Sequence, residues 1–263
     1  FDAPVNVYAS FTHGYKSGGF NLDSTAAAGG ADPRFASEEV DAYEIGVKAK
    51  FLNNDVTLNV AAFHEEFSDF QVLEFTGAQF TTFNVASAKS TGIEIESVVR
   101  PTRDLSLNLG LTYTDARYPS DCDVGSVSPN VTALCGNSLT NAPSIVAIAG
   151  FNYDTDIGND FRAFLSGQVR AESDRRTSTQ AFNPANLAAR ELVPFDVQDG
   201  TAKINLRAGF GGQDESWTVE LWGVNVTDVV TRGVTFNTVL RGSSRSAFAQ
   251  QPATYGVTVR TKF

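Results

Sequence analysis

Apolar and polar residues alternate with a period of two through most of the chain, in segments of about ten residues, the pattern of a strand with one wet and one dry face. The last segment is the clearest: Tyr255, Val257, Val259, Thr261 and Phe263 share one face, and Thr254, Gly256, Thr258, Arg260 and Lys262 the other. Leu105, Leu107, Leu109, Leu111 and Tyr113 oppose Ser106, Asn108, Gly110, Thr112 and Thr114 in the same way. The same alternation holds for 161–170 and 201–210. The periodicity predicts ten strands, at 4–13, 38–51, 54–67, 84–100, 103–117, 143–154, 160–172, 200–211, 215–226 and 252–263. The connections alternate between two kinds. Short turns fall at 52–55, 101–103, 155–159 and 212–214, and long polar loops at 14–37, 68–83, 118–142, 173–199 and 227–251. Apolar alternation inside 68–83 and 227–240 predicts small hairpins within those loops.

Short turns at one end and long loops at the other describe a transmembrane antiparallel β-barrel of the outer-membrane type. A tilted membrane strand needs ~9–11 residues, which these segments supply. A soluble β-sandwich would alternate similarly, although its strands are usually ~5–6 residues long. The faces favour lipid. A cation at mid-membrane on the outer face costs ~2–4 kcal/mol, and in the clear strands Arg162, Arg170, Lys203, Arg207 and Arg260 all lie on the polar face. A slip of one residue would carry these charges into lipid, so register is well specified. The face assignment is weakest in 84–100 and 215–226, where Val98, Trp222 and Val224 fall on the nominally polar side. A helical membrane protein is excluded, because the longest apolar run, Ile145 to Phe151, is about seven residues against the ~20 required.

The 263 residues carry a formal charge of −10, with 20 Phe, 7 Tyr, 22 Gly and no Met. Aromatic and Gly enrichment suits β-structure. The negative charge argues against nucleic acid as a partner, since phosphate binding needs a cationic face. Phe1-Asp2-Ala3-Pro4 has neither the basic start nor the apolar core of a leader, and the lack of Met fits a processed or truncated chain.

Five stretches carry a resemblance: Val7 to Phe11 leading into Gly14 to Asn21; Tyr43 to Lys48; Asn84 to Ala86 through Thr91 to Glu96; Gly223 to Asp228; and Pro252 to Val257 ending in Phe263. In their order and spacing, over residues 4–263, they resemble the C-terminal β-barrel portion of a TonB-dependent outer-membrane receptor. The resemblance implies that the chain, 1–263, is one part of such a barrel: the last ten strands of about 22, with the plug domain, the energy-coupling box and the earlier strands absent. It implies an importer of a scarce solute, with a ferric siderophore foremost and oligosaccharide, cobalamin or another nutrient as alternatives. It also implies a place in the bacterial outer membrane among lipid and lipopolysaccharide, coupling to TonB through the missing N-terminal part, no cofactor and no catalysis. Ten strands with two open edges would leave backbone groups that lipid cannot satisfy, so they are not expected to be stable in membrane alone.

Candidate chemistry is sparse. Cys122 and Cys135, thirteen residues apart in one long loop, read as a loop-stapling disulfide; a thiolate metal pair is the alternative. His13 and His64 fall near the outer rim, either as interfacial polar residues or in a metal-binding or pH-sensing role. Glu65, Glu66, Asp69 and Glu74 are an acidic group at a loop base: a solvated surface, a cation site or part of a glycosidase-like pair. Arg170, Arg175, Arg176, Arg190, Arg232, Arg241 and Arg245 concentrate near or in the last two long loops. With Tyr15, Phe20 and Phe182 they are candidates for an anion-accepting vestibule, because Arg offers a planar fork to carboxylate or catecholate oxygens. The competing reading pairs them with Glu172, Asp174 and Glu191 or with lipopolysaccharide phosphates. Tyr255, Val257, Val259 and Phe263 look like the strand-addition signal read by the barrel-assembly machinery. Two other functions fit ten strands: a self-closed outer-membrane protease using His64 near Asp69, and a passive porin-like channel.

Overall fold

The computed structural model describes residues 4–22, 32–75, 80–120, 134–179, 193–241 and 244–262. One ten-stranded sheet dominates: β1 (Val5–Lys16), β2 (Glu38–Phe51), β3 (Val56–Phe75), β4 (Phe80–Val99), β5 (Leu105–Arg117), β6 (Ile145–Ile157), β7 (Phe161–Glu172), β8 (Thr201–Gly212), β9 (Trp217–Val224) and β10 (Thr254–Thr261). Every pairing is antiparallel and joins strands consecutive in sequence. Among the described residues β1 and β10 each pair on one side only, so the ten strands do not close on themselves. A self-closed ten-stranded protease barrel is therefore not what this chain forms.

Two boundaries differ from the sequence reading for one reason. The stretch 68–83 is not a loop with its own hairpin: β3 and β4 run on past the sheet, pairing from Val56↔Val99 out to Phe75↔Phe80. The alternation there marks one continuous ladder. In the last long connection the hairpin expected within 227–240 pairs Arg232–Asn237 with Arg245–Ala249, a partner further along the chain.

Tight turns stack at one end. Leu52, Asn53 and Asn54 take positive φ, and the Asp55 amide donates to the Leu52 carbonyl at 3.0 Å. Gly158 supplies the positive φ of the β6–β7 turn, the conformation glycine adopts without steric cost.

The register sorts the side chains onto two surfaces. On one, Val7↔Val47, Val60↔Ile95, Leu107↔Phe151, Leu165↔Ala208 and Leu221↔Val257 continue an apolar band across all ten strands. Its large side chains stay exposed, with Val7 at 65%, Ile45 at 59% and Leu221 at 61%. Among the described residues no second layer covers them, so this is not a sandwich, whose inner faces would bury them. An exposed apolar face of this extent marks a membrane surface. Aromatic rings rim it: Phe11 and Tyr43 at the loop end, 5.1 Å apart, and Phe161, Phe210 and Trp217 at the turn end.

The other surface is polar and faces the interior. Trp222 belongs to it, its indole N–H donating to Thr258 Oγ1 at 3.0 Å. Its ring lies flat across Gly256, where a Cβ would stand 2.2 Å away. The alternation in β9 that looked ambiguous is thus resolved by an aromatic ring resting on a glycine of the next strand. The small buried apolar core lies beyond the band, where Val72 and Val85 of the extended β3–β4 hairpin pack with Tyr118 and Leu134.

Candidate functional site

The loop end is tied together by side chains from segments distant in sequence. Gln71 Nε2 donates to the carbonyls of Ser17 and Ala36, each at 3.0 Å, fixing the β1–β2 loop to the β3–β4 hairpin. The Thr235 amide donates to the Thr177 carbonyl and the Thr177 amide to the Asp196 carbonyl, both at 2.8 Å. The Asn141 amide donates to the Arg176 carbonyl at 2.8 Å. Phe75 and Phe236 meet edge to face at 5.6 Å, although six strand spacings, ~29 Å along the sheet, separate β3 from β9.

Arg175 and Arg176, read from sequence as vestibule residues, are 6% and 5% exposed. Their partners account for the burial. Arg175 pairs with Glu172 and donates to the Arg232 carbonyl at 3.0 Å, and Arg176 donates to the carbonyls of Ser138 and Ser178. Burial lowers the Arg176 pKa and raises that of Asp196. Arg245 pairs with Asp196, and Arg232 donates to the Val197 carbonyl while stacking 4.9 Å from the Phe195 ring. These four arginines hold loops to one another; Arg175 does so partly through Glu172, as charge pairing suggests, while Arg176 and Arg232 reach loop carbonyls invisible to a charge-pairing argument.

The remaining candidates scatter. Arg170 is interior-facing, half-exposed and 3.3 Å from Glu172. Arg241 is exposed and makes no ion pair among the described residues. Phe20 is exposed and pairs with Arg34 in the β1–β2 loop. Tyr15 shares the outward face of Val7 and Phe11, opposite Glu39, so it stands at the membrane rim rather than over the mouth. Phe182, Arg190, Glu191, Cys122 and Phe263 lie outside the described residues. Cys135 is disulfide-bonded. Tyr255, Val257 and Val259 face outward on β10, opposite Gly223, Leu221 and Val219.

The acidic group does not assemble. Glu65 and Glu66 point to opposite faces, and Glu74 is buried. His13 lies 2.8 Å from Asp41, and His64 lies 2.6 Å from Thr91 and 3.2 Å from Glu66, all at the outward rim. No group of three or more metal-type side chains forms among the described residues.

The interior wall carries a feature that the sequence reading only half saw. Glu220 on β9 is 3% exposed, and Arg207 on β8 and Arg260 on β10 flank it at 3.3 and 3.6 Å. Both guanidinium groups remain more than half exposed, at 54% and 64%. Two adjoining troughs of about 810 and 530 Å³ run along this wall and share Asn152, Ser166 and Arg207. In the lining of the larger trough Arg162 bridges Asp154 and Glu215, and Lys262 joins Glu215 at 3.2 Å. These cations hold the Glu215 carboxyl below its usual range. Arg207, Glu220 and Arg260 each lie on the polar face of their own strand, but the sequence does not reveal that one carboxylate serves two arginines.

An open meander of long membrane strands, apolar outside and polar within, with elaborate loops at one end, is part of a large outer-membrane barrel. Residues 1–226 match the family described as TonB dependent receptor-like, beta-barrel, and the chain belongs to that family, whose members reside in the bacterial outer membrane. The pesticin receptor of Yersinia pestis is 34% identical over 215 residues, covering 75% of this chain and 31% of that protein. Among solved structures, the ferric yersiniabactin uptake receptor FyuA from Yersinia pestis superposes with a TM-score of 0.77 at 22% identity, over 98% of this chain and 35% of that one. The siderophore receptor PiuA from Acinetobacter baumannii gives 0.67 at 17% identity, over 97% and 33% respectively. The chain thus spans about a third of the length of these relatives.

Proposed function

We propose that residues 1–263 are the C-terminal barrel portion of an outer-membrane receptor that imports a ferric siderophore, with energy coupled through TonB. The observation that carries this reading is the ten-strand open sheet with its cross-tied loops, in a family whose matched relatives include siderophore uptake receptors. The remaining strands and the plug belong to the rest of the protein. The work of the site is binding and passage rather than catalysis. Lipid and lipopolysaccharide surround the outward face, the barrel-assembly machinery reads the last strand, and Cys122 pairs with Cys135 to staple the β5–β6 loop. Deleting the full-length gene in its host should abolish growth and ⁵⁵Fe uptake on at least one ferric siderophore under iron limitation, restored by the intact gene. Unchanged uptake of every ferric chelate tried would remove the reading.

A further inference from the structure

The interior wall is electrically divided. Along β7 to β10 it presents Arg162, Arg170, Lys203, Arg207 and Arg260 against Glu172 and Glu220. Along β2 to β4 it presents Glu44, Glu65, Glu94 and Glu96 against Lys48 and Lys50. The centre of the cationic half is the Arg207–Glu220–Arg260 group. One buried carboxylate cannot neutralise two guanidinium groups, and it lies beneath them, so the surface they offer to the interior is positive. The carboxylate draws both guanidinium groups together as ion pairs and leaves most of their N–H donors for an incoming oxyanion. The troughs give that oxyanion room: Ser166 lies directly opposite Arg207 on β7, while Trp222 faces it from β9 and the Phe164 ring covers Gly209, so the space beside Arg207 has small polar and aromatic walls.

We propose that Arg207 and Arg260, astride Glu220, form an anion-accepting station on the interior wall, which receives carboxylate or phenolate oxygens of a small solute travelling along the β7–β10 side. The assignment deepens the transport reading and rests on it for the solute's direction of travel. It moves the anion chemistry away from Arg175 and Arg176, whose hydrogen-bonding capacity the loops already use. A positive strip in a cleft with low-dielectric walls concentrates anions by about tenfold or more.

The station can be tested without knowing the solute. Ser166→Cys in the full-length receptor, in native outer membranes, places a thiol opposite Arg207, and Cys135 is already oxidised. The thiol is labelled with a sulfonate-bearing and a trimethylammonium-bearing methanethiosulfonate, each rate divided by that for a free thiol. The normalised anion-to-cation ratio should be about ten. It should fall several-fold when either Arg207→Gln or Arg260→Gln is added, in whichever variant retains normal surface abundance. A ratio of one or below, or a ratio unmoved by both substitutions, overturns the station. Labelling by neither reagent also overturns it, since the wall would then be covered by a folded part of the receptor. Failure of every ferric chelate to enter the cell overturns the transport reading and leaves this ratio unaffected, so the two failures are distinguishable.

Discussion

Leu109 and Asn108 are adjacent in β5, yet the register gives them opposite surroundings. Leu109 is paired with Ser97 and Ala149 on the apolar band, and Asn108 with Val98 and Gly150 on the interior wall. Leu109→Arg should cost ~2–4 kcal/mol if its side chain meets lipid, whereas Asn108→Arg should be nearly neutral. Urea unfolding of the two full-length variants in detergent-free bilayers measures the difference, and equal costs would contradict the assignment of faces. At this scale the sequence was informative where a residue's role follows from parity alone, as for Leu109 or Val257. It was uninformative where the role depends on a partner remote in the chain. Nothing local in Arg175-Arg176 announces that their acceptors lie at Ser138 and Arg232.

Among the elements, the loop core has a titratable member. Burial pushes the Tyr118 phenol up to about 12. A raised phenol pKa means that the packed loop favours the neutral ring. Its stabilisation is complete below the ordinary value near ~10 and is lost as pH rises through about 12. Protease resistance of the β5–β6 loop should therefore decline between those limits, and Tyr118→Phe should flatten the decline. A loop equally resistant across that range in the parent protein would refute the packing. The last strand makes a separate prediction. Removing Phe263 should lower the amount of receptor inserted in the outer membrane, with undiminished insertion counting against an assembly signal. Strand positions were legible because the period-two pattern is local. The extension of β3 and β4 beyond the membrane was not, because a ladder covered by loops on its outer part alternates just as one covered by lipid does.

At the scale of the whole molecule, the decisive feature is that among the described residues β1 and β10 each have an unpaired edge. A row of unmet N–H and C=O groups in hydrocarbon costs several kcal/mol per group. The 263 residues expressed alone and refolded into bilayers should give no protease-resistant monomer, while the full-length protein should. Recovery of a stable monomeric ten-stranded species would show that the edges find partners within the chain. The barrel class was readable from turn and loop lengths, but the failure to close is a global property that ten good strands do not reveal.

The edge-to-face contact between Phe75 and Phe236 bridges two hairpins whose stems stand far apart in the wall. Such a contact contributes ~0.5–1.5 kcal/mol beyond burial, not far above thermal agitation. The span it makes between the two loops is therefore a turnstile rather than a bolt: it parts and re-forms at a cost comparable to a single aromatic contact.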